Sequence, residues 1–163
     1  MTPGYDLIAA TLAARGDDVD RVEAALRAQE LELPSWAFGN SGTRFAVFSQ
    51  PGVPRDPFEK LADAAEVHRL TGIAPSVALH IPWDRVEDVA LLNAHAAELG
   101  LRIGAINPNL FQEPEYKLGS LSNPDAGTRR KAILHVRDCI DIATQVGSTA
   151  ISLWLADGTN YPG

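Results

Sequence analysis

Three places in this 163-residue chain set chemistry-bearing side chains at the ends of short strand-like segments. They are His80 in Leu79-His-Ile-Pro-Trp83, Asn107 with Phe111, and Trp154 with Asp157. Near neutral pH an imidazole passes a proton or hydrogen-bonds a polar oxygen. Aromatic rings at a pocket mouth exclude water from a reaction. Each choice has a plainer rival: a strand-end His also bonds a neighbouring carbonyl, and most Trp side chains pack a core. His68, His95 and His135 fall inside helical segments and read as structural. Cys139 lies among apolar helical residues and reads as a small core hydrophobe. No pair of His, or of His with a carboxylate, has the spacing of a zinc motif, so the sequence offers no metal site of its own. Gly39-Asn-Ser-Gly-Thr43 matches no complete phosphate loop and reads as a turn.

The elements that must position these residues follow from periodicity and punctuation. Tyr5–Ala14 and Val19–Gln29 read as helices, with Trp36–Phe38 and Phe45–Phe48 as candidates for a first strand. Asp56-Pro-Phe-Glu59 is a helix start, with Asp as cap, Pro in the first turn and Glu59 placed to close a capping box. Its apolar face runs through Phe58, Leu61, Ala65 and Leu70 to a stop at Gly72. Ser76–Ile81 is a short buried strand between prolines. Asp84–Glu87 repeats the capping signature ahead of Val89, Leu92, Ala96 and Leu99, and Leu101–Ile106 is the next strand. An aperiodic stretch from Asn107 to Asn123 precedes a helix opened by Pro124, with the stripe Ala132, Ile133, Val136, Ile140, Ala143 and Val146. Ala150–Leu155 is the last strand-like segment.

Strands alternating with helices predict a parallel sheet. A doubly wound sheet and a (β/α)8 barrel both fit. Short strands, no dinucleotide fingerprint, and polar or aromatic residues at several strand C-terminal ends favour the barrel. The fold expected is therefore α/β: four strands, the N-terminal half of a TIM barrel over 34–163, after a helical extension over 1–33. A barrel takes about 250 residues, so the chain is expected to be part of a longer one.

A net charge of −7 argues against a nucleic-acid partner. Hydrophobic residues at 45% are normal for a globular domain. One cysteine fits a reducing compartment. With neither a signal peptide nor a membrane span in the sequence, a cytoplasmic location is expected.

Several motifs, taken in order, resemble one family. Asn107-Pro-Asn-Leu-Phe111, Tyr116-Lys-Leu-Gly-Ser-Leu-Ser-Asn123, a long helix and Ser152-Leu-Trp154 resemble the xylose-isomerase superfamily. Pro34-Ser-Trp36, Gly42-Thr-Arg-Phe45, Leu79-His-Ile-Pro-Trp-Asp84 and Trp154-Leu-Ala-Asp-Gly-Thr-Asn160 are more similar to its bacterial L-rhamnose isomerase branch. The resemblance implies a metal-dependent aldose–ketose isomerase working by a hydride shift between C1 and C2, with manganese, or cobalt or magnesium, as the cation. It implies that His80 contacts the sugar and serves ring opening, and that Phe111 and Trp154 form an apolar wall around the substrate. It implies too that Phe45 reaches a neighbouring subunit of a homo-oligomer, and that the metal ligands lie beyond residue 163. Gln112-Glu-Pro-Glu115 is shorter than the same loop in many members of the branch and closer to xylose isomerases. A sugar epimerase of the same superfamily and a non-catalytic binding module are the competing expectations. The epimerase predicts no single cavity faced by both Phe111 and Trp154.

Overall fold

A computed structural model describes residues 3–40 and 50–154, and the chain divides into two units, Met1–Glu30 and Leu31–Gly163. The first is a pair of helices, α1 (Pro3–Ala14) and α2 (Val19–Arg27). Asp18 caps α2 by accepting the Arg21 N–H, and the Tyr5 hydroxyl donates to Glu23.

In the second unit β1 (Glu32–Pro34), β2 (Ser76–Ile81) and β3 (Arg102–Pro108) form a parallel sheet in that spatial order. Ile151 extends it by one parallel bridge to Ile106, the Ser152 N–H donating to the Ile106 carbonyl at 3.0 Å. Strands next to each other in sequence are thus next to each other in space. A doubly wound sheet reverses its order part-way and a barrel does not, so this order is compatible with part of a TIM barrel. The helices α3 (Pro57–Thr71), α4 (Val89–Glu98) and α5 (Ala126–Val146) occupy the successive connections.

Local chemistry explains the boundaries. Asp56 caps α3 through the Glu59 N–H, while Glu59 reaches back to the Arg55 N–H at 2.8 Å, one residue before the cap. Gly72 and Gly147 end α3 and α5 at φ 71°, a left-handed turn that favours glycine. All six residues of β2 are buried, as a central parallel strand covered on both faces requires. Val77, Leu79, Ile81, Ile103 and Ile106 pack against Leu61, Leu92, Cys139 and Val146. Each large aliphatic side chain buried there contributes about 1.5–3 kcal/mol, and the packing fixes where the strand ends emerge.

Five expectations need correcting. The first strand is Glu32–Pro34; Trp36 lies in a 3-10 turn, Ser35–Ala37, because the Ser35 side chain turns to a buried partner on the next strand's loop. Phe45–Phe48 lie outside the described residues. The cap of α4 is Asp88, which accepts the Leu91 N–H; Asp84 is buried. In α3 Leu70 is exposed and Lys60 is buried. In α5 the buried face is Ala132, Cys139, Ile142, Ala143 and Val146, leaving Ile133 and Ile140 half exposed. Ala132, Val136, Cys139, Ala143 and Val146 step by four and three residues, so small side chains let the helix approach the sheet. The fourth strand-like segment is a single bridge at Ile151 among the described residues.

Candidate active site

Residues from each strand's C-terminal end meet in one cavity of about 210 Å³. Trp36 follows β1, His80 ends β2 with Trp83 just beyond, and Asn107 and Pro108 end β3. Phe111, Ser152 and Trp154 complete the lining. The sheet register sets His80 opposite Asn107. Asn107 Nδ2 donates back to the Leu79 carbonyl at 3.0 Å, which spends its amide protons on the strand and holds the side chain at the cavity.

Aromatic rings surround the imidazole. His80 stands edge-on to Trp36 at 5.2 Å and to Trp83 at 4.2 Å, with Phe111 at 6.0 Å. Phe111 in turn meets Trp154 at 4.8 Å. The chain beyond β3 is built to aim Phe111: Asn109 Oδ1 accepts the N–H groups of both Phe111 and Gln112 at 3.2 Å. This local turn is one an Asn side chain readily makes.

His80 is 7% exposed, and its Nδ1 is buried without a hydrogen-bond partner. Burial pushes its pKa down to about 4; Asp84 opposes that shift, and His135 and Lys60 add to it. The ring is therefore neutral at pH 7, and one of its nitrogens is left unpartnered. An unpartnered buried polar atom costs free energy unless something else satisfies it.

Asp84 is 1% exposed and fully engaged. Oδ1 accepts Lys60 Nζ at 2.6 Å, while Oδ2 accepts the His80 backbone N–H at 2.7 Å and the Ser35 hydroxyl. His135 on α5 lies with Nε2 3.1 Å from the Ile81 carbonyl, which places the N–H on that nitrogen. His95 packs on Phe58 at 5.4 Å, and burial pushes the Cys139 thiol up to about 11. These side chains are structural. His68 also carries a buried, unpartnered Nδ1, on α3 and not among the residues lining the cavity.

The cations that the resemblance implies need several carboxylate or imidazole donors converging on a point. Among the described residues no group of three His, Cys, Asp or Glu side chains does so. The cavity itself offers His80, Asn107 and Ser152, and Asp84 is already spent on Lys60, Ser35 and His80. These residues do not fit a divalent cation.

The structure thus brings His80, Phe111 and Trp154 into one cavity, while Phe45 and Asp157 lie outside the described residues. Sequence reasoning did not assign Trp36 or Trp83 to the site. Trp83 had a usable signal, since it lies three residues past a strand-end His. Asp84 and Lys60 were missed for lack of one, because 24 residues separate the pair.

No protein-family model matches the chain. A probable sugar isomerase of Rhizobium meliloti is 45% identical over 168 residues, taking in 100% of this chain and 39% of that protein. A probable sugar isomerase of Mesorhizobium japonicum is 43% identical over 164 residues, 98% of this chain and 38% of its own length. A xylose isomerase of Thermus thermophilus is 27% identical over 125 residues, 68% of this chain and 32% of its own. These similarities to sugar isomerases and to a xylose isomerase support a xylose-isomerase-like superfamily. The chain spans about two fifths of the length of the two probable sugar isomerases. Among the described residues, no helix is long and apolar enough to cross a membrane.

Proposed function

We propose that the protein belongs to a metal-dependent aldose–ketose isomerase, similar to L-rhamnose isomerase, that moves a hydride between C1 and C2 of the sugar. The observation that carries this reading is the cavity at the strand C-terminal ends, where a neutral, buried imidazole with an unpartnered nitrogen stands inside an aromatic wall. A neutral His80 accepts the anomeric hydroxyl proton as the C1 carbonyl forms and the ring C–O bond breaks, and the ring oxygen that leaves takes that proton back from the imidazolium to become the sugar's hydroxyl. Trp36, Trp83, Phe111 and Trp154 cover apolar sugar faces and keep water from the reacting carbons. The cations, manganese or in its place cobalt or magnesium, would be held by side chains beyond residue 163.

Phe45 would reach a neighbouring subunit, making the enzyme a homo-oligomer. A net charge of −7 supports a small-molecule substrate over nucleic acid, and the single cysteine supports a cytoplasmic location. The 4.8 Å approach of Phe111 and Trp154 in one cavity disfavours the epimerase reading.

Isotope transfer tests the reaction. L-Rhamnose deuterated at C2 is incubated with manganese and the gene product expressed from its complete reading frame. Deuterium is expected at C1 of the ketose. Loss of the label to water would replace the hydride shift with an enediol, and absence of ketose would remove the isomerase reading altogether.

A further inference from the structure

Two loops that carry rings against His80 converge on one buried carboxylate. Ser35 and Asp84 are the chain neighbours of Trp36 and Trp83, the two rings nearest the imidazole. Asp84 Oδ2 accepts both the Ser35 hydroxyl and the His80 N–H, so a single oxygen ties the turn after β1 to the end of β2. Oδ1 takes the Lys60 ammonium from α3, and both side chains are at least nine-tenths buried, at 6% and 0% exposure. Such a pair is weak as a source of stability, because desolvation consumes most of the attraction. Its geometric effect is strong, since each partner fixes the other in a single place.

We propose that Asp84 is a positioning residue of the site: it holds Trp36, His80 and Trp83 as one wall by accepting Ser35, His80 and Lys60 together. Asp84 touches no substrate; it acts through the backbone of His80 and the turn that carries Trp36. The functional meaning of that wall rests on the sugar-site reading above, but its geometry does not.

The experiment compares the indole N–H resonances of Trp36, Trp83 and Trp154 in Lys60→Met/Asp84→Asn and Lys60→Met/Asp84→Ala, made in the gene product expressed from its complete reading frame with manganese, then titrates each variant with L-rhamnose. Both doubles remove the charge pair, and only the first keeps an oxygen to accept Ser35 and His80. The Asn double is expected to preserve the Trp36 and Trp83 resonances and to bind sugar within about threefold of the parent. The Ala double is expected to shift both resonances and bind at least about tenfold more weakly, a loss of one charge-assisted hydrogen bond or more. Identical resonances in a folded Ala double would overturn the proposal. Should that double fail to fold, Ser35→Ala decides: Trp36 is expected to move while Trp83 holds, and an unmoved Trp36 overturns it. If no variant and no parent binds sugar, the functional reading falls while the resonances still judge Asp84.

Discussion

A histidine that stays neutral on burial makes the fold sensitive to acid. The ordinary pKa of His80, 6.5, applies to the unfolded chain, and burial lowers it to about 4 in the folded protein. Between those values the unfolded chain binds a proton that the folded chain refuses, so stability falls as pH drops through that window. The share due to His80 is about 3 kcal/mol when the whole window is crossed. His80→Gln is expected to flatten the decline between pH 6.5 and 4 by that order, measured as urea midpoints at a series of pH values. His135, shifted downward by its own burial, remains in both proteins and cancels. Parallel pH profiles would show that His80 is not buried as described. This is also the scale at which the sequence was most readable: strand-end position alone picked out His80, Phe111 and Trp154, which line one cavity. Asp84 was misread because an Asp three residues before a Glu looks like a cap, and burial against Lys60 leaves no trace in local sequence.

The strands' opposite ends are held by a polar contact that only glycine permits. Glu32 accepts the Ser76 hydroxyl at 2.8 Å and the Ala105 N–H at 3.1 Å, joining the starts of β1 and β2 to β3. A Cβ on Gly104 would lie 1.4 Å from Glu32 Oε2 and 2.5 Å from Ser76 Oγ. Gly104→Ala is therefore expected to displace the carboxylate and to cost about 1 kcal/mol, the net worth of a hydrogen bond or two at a partly exposed position. In a Glu32→Ala background the same substitution should cost less, and full additivity in chemical denaturation would count against the contact. Helices were easier to anticipate than strands, because caps and glycine stops at Asp56, Gly72 and Gly147 act locally. β1 is three residues long and exists through its pairing with β2, a partner more than forty positions away. In α5 the stripe correctly took in Ala132, Ala143 and Val146, but Ile133 and Ile140, which look like core residues, are half exposed, while Cys139 is small enough to sit against the sheet.

For the whole molecule, strand order decides what the parts can do together. Keeping β1, β2, β3 and the Ile151 bridge in chain order gathers every strand's C-terminal end at one mouth, and the aromatic cavity is the result. Trp36, Trp83 and Trp154 all line it, so their indole signals report on this cavity. The most direct measurement is an NMR titration of those three indole N–H groups with L-rhamnose, in the gene product expressed from its complete reading frame with manganese, run beside Phe111→Ala. A sugar site predicts saturable shifts of all three resonances with one common dissociation constant, weakened in Phe111→Ala. Resonances that stay fixed throughout the titration, or that drift linearly without saturating, would contradict it.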